Sequence, residues 1–393
     1  MTRAERRAYD CGVDVPGFRA LRWIAAGLGA LSLCLTVPAV PAPAASSSLD
    51  VGDQPVVNVI VRGRGNDVTV RVWDRPAVQV ESGDETSPSV ERRSAMFGTA
   101  RFPLAQQIPP QLYATHDRDG MPSGGGALPP EEFPYAAFRP GPHDIVRVEA
   151  PEGSHLVVTV PAATGILVLR VGGGLTTVDG YRGANLLLIQ NQGRVRLTGV
   201  TTTAFVQMNY GAFYAADGNF ERIRVRGVAA HDFFERCRSK QIEATSVLGS
   251  IVYDGGSFDP GLARFESQTG AIALGVTSGA QLSGRSVEGR VFTQFDRRGT
   301  NVEQRGEGDA IATVNGGGPL VNAISGRGNV YFYDGSLLSR RNVGADWRPL
   351  HKLFAAERGQ GAGAHPGRVH RPPTLRARLS ARARTSAAAR RRA

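Results

Sequence analysis

Two stretches of the chain nearly repeat each other: GSIVYDGG at residues 249–256 and GNVYFYDG at residues 328–335. Each opens on glycine, alternates apolar residues and closes on Asp-Gly. Working outward from them, a glycine opens a short β-prone run at Gly174, Gly193, Gly211, Gly249, Gly270, Gly289, Gly308 and Gly328. The spacing is about nineteen residues, with one double step whose empty slot falls at Ala230. An apolar column lies seven residues before each position: Leu186, Ala204, Ile223, Ile242, Ala263, Leu282 and Val321. Asn301 is its exception. Ile223 keeps the column at the empty slot, so Ala230 marks a repeat that has lost its glycine.

Alternation follows each glycine, as in Val195 and Leu197, Phe213 and Ala215, Ile251 and Tyr253, Ile272 and Leu274, and Val330 and Phe332. A period of two over four to six residues is a strand with one buried face. The runs after Ala230 (HDFFER) and Gly308 (DAIATV) fit this pattern less well. No segment between Leu156 and Gly335 carries a sustained helical period, which excludes crossover helices. Nineteen residues are too few for a propeller blade of about forty. The expected fold is all-β: a right-handed, single-stranded parallel β-solenoid in which each period makes one coil. Coils would stack at about 4.8 Å. Glycine would supply the sharp turn at one corner. Asp179, Asp217, Asp254 and Asp334, each followed by glycine, would supply the turn at another.

The same grammar appears in residues 45–82, the expected first coils, where Gly65 precedes Val68, Val70 and Val72. The main array is expected over 143–338. Residues 83–142 hold the run PSGGGALPP and are expected to form a proline- and glycine-rich insertion. Its aromatics Phe133, Tyr135 and Phe138 are candidates for docking onto the coils or binding a partner. Residues 339–359 are expected to cap the array with a short helix. Asp346 would be its N-cap, with Trp347, Leu350 and Phe354 on one face.

Charge is unevenly placed. The 393-residue chain carries a formal charge of +11, but residues 339–393 alone hold fourteen Arg or Lys against two acidic residues. Residues 45–338 are therefore slightly acidic. The basicity belongs to a tail, expected to be disordered over 360–393, and not to a groove across the fold. No specific nucleic-acid binding is expected. At the other end, Arg19 and Arg22 precede the apolar run WIAAGLGALSLCLTV, and small residues follow around Ala42 and Ala44. That reads as a secretory signal over 1–44; an uncleaved membrane anchor is the alternative. The expected location is periplasmic, cell-surface or extracellular. Cys11 and Cys34 fall within the signal, leaving Cys237 as a buried apolar residue with no disulfide partner.

With these features in place, the chain resembles the bacterial head GIN-like adhesin family. A signal peptide is followed by GNDVTVRVWD and then by repeated Gly-x-φ-x-φ-x-Asp-Gly coils, over residues 56–82 and 143–335. The resemblance implies an exported solenoid and carries no catalytic signature. The long insertion and the arginine-rich tail depart from the family pattern.

Some residues could carry chemistry. Several parallel β-helix proteins cut acidic polysaccharides with aspartates on one wall, so Asp179, Asp217, Asp254 and Asp334 are candidates for paired carboxylates. Turn formation already accounts for each. His231 and Asp232 form a second candidate pair, in the least regular coil. The histidines show no zinc spacing, so no metal is expected, and no cofactor is expected because no phosphate-binding loop, dinucleotide fingerprint or nucleophile elbow occurs. Gln190, Asn191, Gln207 and Asn209 are placed to form side-chain ladders on neighbouring coils. The functional expectation is a non-enzymatic, adhesin-like or scaffold surface that contacts cell-surface polysaccharide or envelope proteins. End-to-end self-association is a further expectation. A polysaccharide-active enzyme and a membrane-held envelope accessory protein are the alternatives.

Overall fold

The computed structural model describes residues 45–83, 87–97, 141–295 and 299–335. Among them are twenty-one strands and no helix. The strands are β1 (Ala45–Asp50), β2 (Val56–Val61), β3 (Asn66–Trp73), β4 (Ala77–Ser82), β5 (Ser89–Phe97), β6 (Gly141–Ala150) and β7 (His155–Pro161). Four long ones follow: β8 (Ile166–Asp179), β9 (Asn185–Thr198), β10 (Thr201–Ala216) and β11 (Asn219–Glu235). Shorter strands then come: β12 (Arg238–Ser246), β13 (Ile251–Phe258), β14 (Ala263–Ser267), β15 (Ile272–Val276) and β16 (Ala280–Ser286). The last are β17 (Val291–Gln294), β18 (Asn301–Gly306), β19 (Asp309–Val314), β20 (Leu320–Ser325) and β21 (Val330–Asp334).

Most pairings are parallel, and they form two runs. In the first run β6, β2, β8, β9, β10, β11, β12, β14, β20 and β16 lie side by side. In the second the order is β7, β3, β8, β9, β10, β11, β13, β15, β21 and β17. The long strands β8 to β11 belong to both, their first halves to one run and their second halves to the other. A short third pairing joins Thr202, Phe220, Ser239 and Phe258. One continuous core joins the inward residues of both runs, including Leu167, Leu186, Ala204 and Ile223 from the first and Val195, Phe213, Phe234 and Phe332 from the second. Alternation along each strand puts these residues inside, because successive side chains point to opposite faces.

Through the middle of the first run, strands pair at offsets of 18 or 19 residues. Leu186 pairs with Leu167, Ala204 with Leu186, Ile223 with Ala204 and Ile242 with Ile223. Toward the ends the order in space departs from the order in sequence. β14 pairs with β20 and not with β16; β20 in turn pairs with β16. The final repeat is thus slotted between its two predecessors. The reason lies in β18 and β19, an antiparallel hairpin whose second strand takes the other edge of β16. Asn301 breaks the apolar column because it starts that exposed hairpin. Gly308, expected at a coil corner, sits in the hairpin turn instead. The opposite end mirrors this arrangement, since β2 lies between β6 and β8.

Antiparallel strands finish both ends. β5 pairs with β6, β4 with β7 and β1 with β4 at one end, and β19 and β18 follow β16 at the other. The expected capping helix at 346–359 lies outside the described residues, as do the signal segment, the basic tail and Phe133, Tyr135 and Phe138. Residues 83–142 are not all loop: β5 extends the first run by a strand.

At the corner between the two runs the backbones come into contact. A Cβ on Gly193 would lie 2.1 Å from the Gly174 carbonyl oxygen, and one on Gly211 would lie 1.9 Å from that of Gly193. The column continues from Ala230 through Gly249, Gly270 and Gly328 to Gly289, each glycine leaving no room for a Cβ against the carbonyl before it. Gly174, Gly193 and Gly211 also have positive φ, at 131°, 108° and 123°. The later glycines do not, so close approach, and not a left-handed turn, requires them. Ala230 fits because its own Cβ faces the core, where it is fully buried.

A serine three residues before each later glycine locks this corner. The Ser246 and Ser267 hydroxyls accept the Gly249 and Gly270 amides, and donate to the carbonyls of Ala230 and Gly249. Ser325 donates to Gly270 and Ser286 to Gly328, following the same spatial order.

Two substitutions separate backbone strain from lost contact. Gly199 (φ 60°) has nothing within 4 Å of a Cβ, whereas Gly270, which is not at positive φ, would put one 2.0 Å from the Gly249 carbonyl oxygen. Gly199→Ala is expected to cost about 1 kcal/mol through φ alone, and Gly270→Ala about 3 kcal/mol or more through the contact alone. Urea unfolding followed by circular dichroism compares them, and equal losses would contradict the corner contact.

Candidate functional site

The strongest concentration of interacting polar groups lies on the outward face of the second run, where β10, β11, β13 and β21 meet. Parallel register places Ala216, Glu235, Asp254, Gly275 and Tyr333 in one row across five strands. Two carboxylates therefore occupy adjacent positions. Asp179 belongs to the same row farther along, through Thr198. Asp217 and Asp334 lie one residue beyond it, so the four Asp-Gly aspartates are not equivalent.

Asp217 itself adopts the left-handed conformation (φ 52°), in register with Arg236 (φ 51°), Gly199 and Gly255. Short polar aspartate tolerates that region better than most residues. Arg236 holds it with two hydrogen bonds of 2.7 and 2.8 Å and also binds Glu235. The hydrogen bond from Arg236 holds the Asp217 carboxyl below its usual range and raises the guanidinium in return. Glu235 accepts a further bond from the Tyr214 hydroxyl. Burial first, then the bond and charge of Glu235, push the Tyr214 phenol up.

Asp254 is 1% exposed. The Tyr333 ring crosses Gly275 to reach it, passing 2.4 Å from where a Gly275 Cβ would sit. Burial, and after it the Asp254 charge, push the Tyr333 phenol well above its ordinary value. Proton transfer on a polymer substrate requires access to both carboxylates. Here one is occupied by tyrosine and arginine, and the other lies beneath a tyrosine ring.

His231 and Asp232 are separated by strand alternation. His231 points outward, and its Nδ1 accepts the Ser250 amide at 3.1 Å. Asp232 points into the core in register with Phe213 and Ile251, fully buried. Neither of its oxygens has a hydrogen-bond partner among the described residues. Burial raises its carboxyl well above the usual value. Cys237 is also buried, and its thiol is pushed up to about 12, chiefly by burial. Of the amide residues, Asn209 donates to Asn191 at 2.9 Å, one rung of a ladder. Gln190 instead turns inward and donates to the carbonyls of Gly174, Gln192 and Arg194. Sequence reasoning missed Glu235, Tyr214 and Tyr333. The alignment of Glu235 with Asp254 in HDFFE and IVYD was the available signal.

A second polar surface lies outward on the first run, over β11, β12, β14, β20 and β16. Arg222 and Arg224 donate to Gln241 and Glu243 on the neighbouring strand, and Arg264 pairs with Glu266. Arg226 and Arg285 add to five cations against two carboxylates on this face. A shallow groove of about 90 Å³ is lined by Arg222, Arg224, Gln241, Glu243 and Leu262. Among the described residues no group of three metal-ligating side chains converges.

No family model matches the chain, and no curated protein matches it. Among solved structures it is similar to a "putative cell adhesion protein" from Clostridium sporogenes, with 8% identity and a TM-score of 0.26. The alignment covers 74% of this chain and 99% of that one. A score so low carries no argument about fold or ligand.

Two titrations test these assignments. Burial favours the protonated Asp232 carboxyl in the fold, whereas the unfolded chain ionises it above about pH 4. Its contribution to stability therefore declines as pH rises from there toward its raised folded value. Asp232→Asn is expected to gain Tm relative to the parent progressively as pH rises from about 4.5; a constant difference would contradict the buried acid. In a chain with Cys11→Ser and Cys34→Ser, Cys237 is expected to react with a thiol reagent at pH 8 about a thousandfold more slowly than a free thiol until unfolded. Rapid native labelling would contradict its burial.

Proposed function

We propose that the two runs are opposite walls of a right-handed β-solenoid, and that the protein is an exported, adhesin-like or scaffold surface acting without catalysis. The fold reading is supported by rungs that recur about every nineteen residues while each long strand serves both walls. Right-handedness follows the strong preference of parallel crossovers within one sheet. The resemblance to head GIN-like adhesins points the same way.

One observation carries the binding role: the regular row of Arg224, Glu243 and Arg264 on successive strands, flanked by Arg222, Arg226 and Arg285. Five arginines against two glutamates make this face mainly basic, with cations of one row two strands or about 10 Å apart, which suits many weak contacts with an anionic polymer. The covering of Asp254 and the engagement of Glu235 support a non-catalytic reading.

A panel of anionic and neutral polysaccharides, with polygalacturonate as the anionic probe, tests this proposal. Binding to the anionic probe is expected to fall with added salt. It should weaken at least tenfold in Arg222→Glu/Arg224→Glu, with no release of reducing ends. Bond cleavage would contradict the proposal, and so would binding indifferent to charge.

A further inference from the structure

The hairpin that finishes the first run leaves one strand edge open. β19 is paired on both sides, with β16 and with β18. β18 is paired on one side alone: β19 is its sole neighbour among the described strands. All six of its residues are exposed, whereas every second residue of β19 is buried. In an antiparallel pair alternate residues bond inward, so the remaining β18 N–H and C=O groups point away from β19 into solvent.

An open edge of this kind accepts another strand unless its side chains forbid it, and charges are the common deterrent. β18 reads NVEQRG, with one acid and one base two residues apart. Glu303 is in register with Ile311 and, across β19, with Ser283. Their neighbours Ala310, Ala312 and Leu282 face the core, so Glu303 stands on the outward side. The Arg305 guanidinium binds it there at 2.9 Å, although the register slips between Gln304 and Gly306. The Arg305 and Glu303 side chains are 50% and 61% exposed. A pair so open to water holds loosely and is free to exchange partners.

The spacing of the two charges decides what the edge accepts. Two copies of one strand pair antiparallel about a two-fold axis, which passes between two copies of a single residue. Near the middle of β18 that residue is Glu303, Gln304 or Arg305. Centring on Glu303 sets glutamate against glutamate, and centring on Arg305 sets arginine against arginine. Like charges directly opposite are destabilising. Centring on Gln304 sets Glu303 against Arg305 twice. It also lays Val302 against Gly306 of the second copy. Val302 is 39% exposed, although its row is otherwise buried through Ala312 and Leu282.

We propose that β18 pairs with β18 of a second copy, antiparallel and centred on Gln304, joining two molecules end to end. The strand is short, so the contact belongs to the weak, reversible class. Directly opposite residues of an antiparallel pair keep their side chains on one side. The two first-run faces therefore become one continuous surface.

Sedimentation of the full chain with Cys11→Ser and Cys34→Ser is expected to show a concentration-dependent dimer. Glu303→Arg and Arg305→Glu each set like charges opposite, and each is expected to weaken the dimer at least tenfold. The double exchange Glu303→Arg/Arg305→Glu is expected to restore it. Gln304→Cys should form a disulfide-linked dimer under mild oxidation, since its two copies face each other within bonding reach. Glu303→Cys should not. A parent that stays monomeric at every concentration would overturn the proposal. So would single exchanges without effect, a double exchange that fails to restore the dimer, or linkage as ready through 303 as through 304.

Discussion

Backbone contact at one corner is the constraint on which the rest of this structure depends. Successive rungs approach there until a carbonyl oxygen occupies the space of the next residue's Cβ. Only glycine, or an alanine whose Cβ turns to the core, satisfies that geometry. Serines at 246, 267, 286 and 325 then tie the later strands of this corner to their neighbours through hydrogen bonds. With the corner held, inward side chains from both runs meet in one core, and outward side chains are left in straight rows. The proposed basic face is such a row.

Interleaving at the two ends has consequences for assembly. β2 needs β6 and β8 on its two edges, and β20 needs β14 and β16. Neither can be completed by adding repeats one after another. Contacts between β14 and β20 span nearly sixty residues, and long separations slow folding because loop entropy is lost before the contacts form. The middle of the array, where neighbours in sequence are neighbours in space, is the natural place for pairing to begin.

Much of the middle was legible in the sequence. The glycine interval, the apolar column and the alternation together locate β8 to β15, and Ile223 pairs with Ala204 and Ile242 as the column expects. The ends were less legible for a physical reason. Gly270, Gly289, Gly308 and Gly328 follow one another at 19, 19 and 20 residues, so nothing in the spacing says which pair will touch. The clue lay in a misfit: Asn301 and the poorly alternating DAIATV belong to an antiparallel hairpin. Of the candidate site, the aspartates were visible but their register was not. A shift of one residue puts Asp217 at a left-handed corner and Asp254 beside Glu235. The pairing of His231 with Asp232 failed for the simplest reason, since adjacent residues on a strand face opposite ways.

Spatial order near the final repeat is the most exposed part of the account, because it contradicts order in sequence. Glu266, Ile324 and Arg285 stand outward in one row on β14, β20 and β16. Spin labels placed in pairs, with Cys11 and Cys34 changed to Ser, measure their separations by dipolar EPR. The account predicts labels at 266 and 324 one strand apart, about 5 Å between backbones, and labels at 266 and 285 about 10 Å apart. The reverse, with 266 beside 285 and 324 the more distant, would contradict it.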